Sequence, residues 1–342
     1  MHAKMTARQK TILLITILLS IAITGCSQKY TEDKATENEG ENNILITETG
    51  EEIEKPQETA LETPSPSPED TENDSAPVEI DIPEPTQTES IEEEIQQEEH
   101  SLQLVFLGDS IFDSYRDGTG VPYLTSKLCD ASLYNLAIGG TCASIEEDEE
   151  ASWEEWTSTS LCGVVNGMLK RISLDIFDGT RAGELLKDPT IDYSQTDYFI
   201  VEYGTNDFFR GVPQSDNDGY NLKTYGGALR YAVNNLRDVA PDATIILCSP
   251  MYAQFYHNGY LVGDGNMTNN GNGTLFDYAG TCNYIANEQN TLFFNAYLDL
   301  GIDGYTIDEY MEDGVHLSEA GRHLYAEALS HMILSYEETK NN

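Results

Sequence analysis

The chain reads as an α/β protein, a five-stranded parallel sheet joined by helical crossovers, with residues 1–100 standing outside the fold. Three observations predict this. Short apolar runs alternate with stretches of helical spacing through residues 101–338, as strands linked by crossover helices do. The runs close on Gly108, Gly204 and Pro250, residues that break a strand. The length of the segment suits one large α/β domain.

Taken in order, residues 102–107 form a first buried strand that stops at Gly108. A helical stretch at 121–129 precedes a second strand at 133–138, and a third strand at 198–203 ends at Gly204. Residues 225–239 place Leu229, Ala232, Val233 and Leu236 on one helical face and end before Pro241. A fourth strand at 244–247 is closed by Pro250, a helix follows at 276–287, and a fifth strand at 292–296. The terminal helix at 318–337 aligns Ala320, Leu324, Ala328 and Met332, with Ser318 as its N-cap. Two stretches exceed the minimal alternation: 141–195, with a helix at 164–176, and 251–275, rich in Tyr, Asn and Gly without periodicity. Both follow strands, so both are expected at the carboxyl edge of the sheet as walls of a binding site.

The N-terminus is a targeting segment. Lys4, Arg8 and Lys10 precede a short apolar run at 12–23, too short for a comfortable membrane span of ~20 residues but suited to a signal peptide. The run ends at Ile23-Thr24-Gly25-Cys26, which resembles the lipobox of bacterial lipoproteins. That resemblance implies a signal peptide over 1–25, diacylglycerol on the Cys26 sulfur, and an extracytoplasmic protein anchored to the cell membrane. Residues 26–100 are dominated by Glu, Thr, Pro, Ser and Asn, with Pro64-Ser65-Pro66-Ser67-Pro68 at their centre. Such a segment cannot bury enough apolar surface to offset its ordering entropy and is expected to be a disordered tether. At ~3.1 Å per residue its extended contour exceeds about 200 Å. Residues 339–342 read as a tail.

The formal net charge is −42, and the tether carries about half of it. The folded part stays acidic, which argues against nucleic acid and against sustained contact with anionic lipid. Beyond Cys26 there remain Cys129, Cys142, Cys162, Cys248 and Cys282. The number is odd and includes no CxxC pair, so no metal site is signalled, although one disulfide is compatible with the compartment. No phosphate-cradling loop and no cofactor motif is present, and Asn269-Asn270-Gly271-Asn272-Gly273 has too few carboxylates nearby for a calcium loop.

Three motifs sit at element boundaries. Gly108-Asp109-Ser110 follows the first strand, Gly204-Thr205-Asn206-Asp207 follows the third, and Asp313-Gly314-Val315-His316 precedes the last helix. Each alone is weak; in this order and at strand ends they are specific. Ester hydrolysis through a covalent intermediate needs a hydroxyl nucleophile, a base and donors for the oxyanion. Ser110 offers the hydroxyl at a strand-to-helix turn, and His316 offers the base. Asp313 can fix its tautomer, and Asn206 supplies a neutral donor. Asp109 reads as a turn-stabilising residue rather than a catalyst, and His257, His323 and His331 as bystanders.

With these motifs, residues 101–338 resemble the SGNH (GDSL-type) hydrolase superfamily. Ser110, Gly140 in Asn135-Leu136-Ala137-Ile138-Gly139-Gly140, Asn206, and Asp313 with His316 match its blocks in turn, with Ile111 replacing the usual Leu. The resemblance implies a three-layer α/β/α, flavodoxin-like fold with strand order 2-1-3-4-5. It also implies an oxyanion hole built from the Ser110 N–H, the Gly140 N–H and the Asn206 side chain, with no cofactor. Gly139 is a rival for the second position, and the offset from Asn135 favours Gly140. Candidate substrate-binding aromatics are Trp153 and Trp156 in the first long stretch, where aromatics more often pack their own loop, and the better placed Tyr252, Phe255 and Tyr256 in the second. The expected substrate is a carboxylic ester, with acetylated polysaccharide preferred. A lipase, lysophospholipase or thioesterase, and a non-catalytic binding module, are the alternatives.

Overall fold

A computed structural model of the chain describes residues 101–340. The signal-peptide, Cys26 and tether expectations lie outside the described residues.

In chain order the elements begin with strand β1 (Gln103–Gly108), a single turn of helix α1 (Ser110–Asp113), helix α2 (Val121–Leu128) and strand β2 (Ser132–Asn135). Helices α3 (Leu161–Met168) and α4 (Arg181–Lys187) lead to strand β3 (Tyr198–Glu202), α5 (Thr205–Phe209), α6 (Tyr225–Val239) and β4 (Thr244–Cys248). A hairpin of β5 (Gln254–His257) and β6 (Tyr260–Asp264) precedes α7 (Leu275–Gln289) and β7 (Leu292–Phe294). The short helices α8 (Ala296–Asp299) and α9 (Ile307–Tyr310) then lead to the long α10 (Glu319–Lys340).

The main sheet runs β2-β1-β3-β4-β7, and every neighbouring pair is parallel. This is the expected 2-1-3-4-5 order; the fifth sheet strand is seventh in the chain because the hairpin intervenes. Both faces are covered. Helices α2 and α10 pack together on one side, and α6 packs against α3 and α7. Phe106, Phe112, Tyr325 and Phe294 form a chain of edge and tilted ring contacts on the α10 side. Being covered twice, β1 and β3 are unbroken buried runs rather than alternating ones.

Three expectations are corrected. The helix expected at 164–176 is α3, which starts earlier and stops at Leu169, because Lys170 takes a left-handed conformation (φ 55°). A separate 3-10 turn at Leu174–Phe177 follows, its Leu174 and Phe177 packed close over Gly167. Beyond its first residues, which border Asn206 and Asp207, the stretch 141–195 is not an added wall. It is the crossover that a parallel β2–β3 connection demands, and α3 within it is wholly buried. The stretch 251–275 does have regular structure: its Asn258-Gly259 pair, with φ 51° and 79°, turns the β5–β6 hairpin, as Asn-Gly does in type I′ turns. Cys129, Cys142, Cys162, Cys248 and Cys282 are all buried free thiols, so none of the disulfides that the compartment would permit is formed among them.

Candidate active site

The sheet order reverses at β1, whose partners β2 and β3 are joined by connections running to opposite sides. The crevice beyond the carboxyl ends of such strands is where open α/β sheets bind ligands. β1 delivers Ser110 there and β3 delivers Asn206.

Ser110 opens α1, capped by Asp109, whose Oδ1 accepts the Ile111 N–H at 3.0 Å. The Ser110 hydroxyl is 3.0 Å from His316 Nε2, and His316 Nδ1 is 2.7 Å from Asp313 Oδ2. The other Asp313 oxygen accepts the backbone N–H groups of Val315 (2.9 Å) and His316 (2.8 Å), closing the loop that presents the imidazole. Gly314 (φ 87°) has no room for a side chain: a Cβ would stand 2.4 Å from the Gln254 carbonyl oxygen. The hairpin therefore braces this loop directly, and Gln254 N–H donates to the Gly314 oxygen at 2.9 Å.

The electrostatics suit a carboxylate–imidazole pair. Burial pushes the Asp313 carboxyl up, but the hydrogen bonds from His316 and Val315 outweigh it and hold it at about 2. The Asp313 hydrogen bond raises His316 above its ordinary value against partial burial. A serine hydroxyl held on an imidazole that a carboxylate orients can lose its proton to that imidazole as it attacks a carbonyl carbon.

Gly140 lies beside this line with φ 78°, and a Cβ there would meet nothing within 4 Å. Gly139 N–H donates to Asp113 Oδ2 at 2.8 Å, so Gly139 is already engaged. Among the described residues, neither the Ser110 N–H nor the Gly140 N–H has an acceptor. The Asn206 amide is committed on both hydrogens, to Asp109 Oδ2 (2.9 Å) and to the Thr141 oxygen (3.1 Å).

The aromatics divide. Trp156 is buried, and its indole N–H donates to the Ser158 oxygen, so it packs its own loop and is closed to a substrate. Tyr252 is likewise buried, between Asp264 and Gln254. Exposed Trp153 stacks on Arg171, which bonds Asn235 and Asp238 near the end of α6. That end of a crossover helix leads back to the amino edge of the sheet, so Trp153 is not beside Ser110. Phe255 packs on Phe208 and Phe209 of α5. Tyr256 alone of the five covers Gly314, with its ring half exposed at the rim.

Several residues at the site escaped sequence reasoning. Asp207 is fully buried and accepts the N–H groups of Ala143 (2.9 Å) and Ser144 (3.1 Å), fixing the chain that leaves β2. Glu202, the last residue of β3, is fully buried and hydrogen-bonded to the neighbouring Asp109 carboxyl. Burial, reinforced by the Asp109 charge, pushes Glu202 well above the carboxylate range, and burial also lifts Asp109 to about 6. The visible signal of Glu202 was a lone acid in the apolar run Tyr198-Phe199-Ile200-Val201-Glu202.

A model of the GDSL-like lipase/acylhydrolase family matches residues 106–324. The chain belongs to this family. It is accordingly a hydrolase of ester bonds, with the α/β fold of the GDSL/SGNH lipases and esterases. No curated protein matches it. One solved structure, 21% identical, is covered over 97% of its length and 69% of this chain with a TM-score of 0.50. A protein from Lactobacillus plantarum is 18% identical, over 69% of this chain and 97% of that one, at a TM-score of 0.49. A possible lipase from Chitinophaga pinensis is 17% identical, over 69% and 99%, at 0.48.

Proposed function

We propose that this GDSL-family hydrolase is a serine esterase that works through an acyl-enzyme and removes acetyl groups from neutral carbohydrate outside the cell. The observation that carries the mechanism is the unbroken contact line Ser110–His316–Asp313, at 3.0 and 2.7 Å, beyond the carboxyl end of β1. Ser110 attacks the ester carbonyl while His316 takes its proton, and Asp313 holds the imidazole and balances its charge. The Ser110 and Gly140 N–H groups receive the oxyanion first. Asn206, with both hydrogens engaged, joins by sharing one of them. His316 then returns the proton to the leaving alcohol, and water repeats the sequence on the acyl-enzyme.

The substrate reading rests on how open and polar the site is. The His316 and Asp313 side chains retain 32% and 54% of their exposure, so a polymer can reach them from solvent. Tyr256 at the rim offers a ring face of the kind that sugars stack on. The acidic character of the chain disfavours polyanionic substrates, with salt screening that effect beyond ~10 Å at 0.1 M. The Ile23-Thr24-Gly25-Cys26 sequence supports anchoring through a lipidated Cys26, with the acidic tether carrying the hydrolase away from the membrane.

One observation favours a second reading. The β6 strand exposes Tyr260, Leu261 and Val262, with Met267 just beyond. These apolar side chains, on or just after the hairpin that carries Tyr256, suit a longer acyl group or a lipid surface. Acetate release from acetylated xylan, set beside turnover of p-nitrophenyl esters from acetate to dodecanoate, separates the two. The proposal requires acetyl preference, and an optimum at octanoate or beyond replaces it with the lipase reading.

A further inference from the structure

The Gly140 N–H lies in a loop with positive φ, and a glycine there has no side chain to hold its peptide in place. The structure nevertheless pins both sides of that peptide. On the amino side, Asp113 of α1 accepts the Gly139 N–H at 2.8 Å. Asp113 is itself held by Arg116, whose Nε donates to Asp113 Oδ1 at 2.6 Å. The rest of the Arg116 guanidinium reaches along the same loop, donating to the Asn135 oxygen at 2.9 Å and the Ala137 oxygen at 2.7 Å. On the carboxyl side, Arg210, at the end of α5, donates to the Gly140 oxygen at 2.7 Å and is ion-paired with Glu146.

We propose that Asp113, Arg116 and Arg210 form a clamp that aims the Gly140 N–H at the oxyanion, making them positioning residues for the acyl-transfer step. The inference rests on the reading of Ser110 as nucleophile. Its geometry is specific. Asp113 lies one turn beyond Ser110 and Arg210 one turn beyond Asn206, so the clamp ties the oxyanion loop to the two helices that carry the other site groups. A Cβ on Gly139 would come 3.2 Å from Asp113 Oδ2 and 3.8 Å from the Ser110 Cβ. The loop therefore seats against the nucleophile itself, and a small rotation of the Gly139–Gly140 peptide would swing the donor away. Such a donor acts on the transition state, where charge develops on the carbonyl oxygen, and little on the bound ester.

The test uses the full chain carrying Asp113→Ala, Asp113→Asn, Arg210→Ala or Ser110→Ala, assayed on p-nitrophenyl acetate and by the rate of organophosphonate labelling at Ser110. Asp113→Ala and Arg210→Ala are expected to lower kcat roughly ten- to a hundredfold, with KM within about twofold, and to slow labelling in proportion. That range sits below the ~10²–10³ loss typical of deleting an oxyanion donor outright. Asp113→Asn, which keeps an oxygen for the Gly139 N–H, should recover part of kcat. Arg210 is at the surface, so Arg210→Ala carries the test alone if Asp113→Ala does not fold. Unchanged kcat in the folded variants, or a change confined to KM, overturns the clamp while leaving Ser110 in place. Retained turnover in Ser110→Ala instead removes the reading on which the clamp rests.

Discussion

Asn206 gives one amide hydrogen to Asp109 Oδ2 at 2.9 Å, so the residue preceding the nucleophile and the side chain offered as oxyanion donor hold each other. Asp109 also caps α1 through Ile111, and its single carboxylate therefore fixes two groups that must face one carbonyl oxygen. Asn206→Ala should lower kcat by about 10²-fold, the lower end for an oxyanion donor, because its hydrogens are shared even at rest. KM should stay nearly constant. Steady-state kinetics check this, and a purely KM effect would place Asn206 in substrate recognition.

The pH profile follows from the His316–Asp313 pair. His316 acts as base only when neutral, and Asp313 raises its pKa above 6.5. Activity should therefore fall as pH drops through a value above 6.5, seen as the acid limb of kcat/KM. Asp313→Asn removes the stabilising charge, so the limb should shift to lower pH. The maximal rate should also fall, by up to ~10⁴-fold where the wrong tautomer is favoured. An acid limb unmoved by Asp313→Asn would show that another group sets the titration.

Much of this was legible because the chemistry and the fold share positions. Gly108 and Gly204 end strands and introduce Ser110 and Asn206, so breakers and motifs mark the same boundaries. Asp113, Arg116 and Arg210 were not legible: polar residues near a turn look like solvated surface until the Gly139–Gly140 peptide is seen between them. Trp156 was ambiguous for the opposite reason: an indole in a long polar stretch more often packs its own loop, as it does here, but its sequence gives no sign of whether it faces sugar or core. The β5–β6 hairpin was missed although Asn258-Gly259 is a strong turn signal, because only four or five residues flank it and they alternate poorly.

Glu202 supplies a stability prediction. Its folded-state pKa is raised by burial, so the folded chain keeps a proton that the unfolded chain loses. Stability should decline as pH rises from the ordinary glutamate range toward the folded-state value, with a slope of at most about 1.4 kcal/mol per pH unit for this group. Glu202→Gln, neutral at every pH, should match wild type near pH 4 and be progressively more stable above it. Thermal unfolding at several pH values checks this, and a constant difference across the range would contradict it.

Tyr256→Ala should raise KM for acetylated oligosaccharide several-fold while leaving kcat for p-nitrophenyl acetate within about twofold, since stacking serves the sugar and not the acetyl group. Leu261→Ser with Val262→Ser should leave acetyl ester turnover unchanged. A selective loss of octanoate turnover in that double variant would assign the hairpin to acyl chains.

The most direct test of the central claim is covalent. Wild-type protein treated with an organophosphonate should gain one adduct by intact mass, mapped by peptide sequencing to Ser110. Ser110→Ala should remain folded, take up no adduct and lose nearly all turnover of p-nitrophenyl acetate. An adduct on another residue, or turnover retained in Ser110→Ala, would contradict the assignment of Ser110 as the nucleophile.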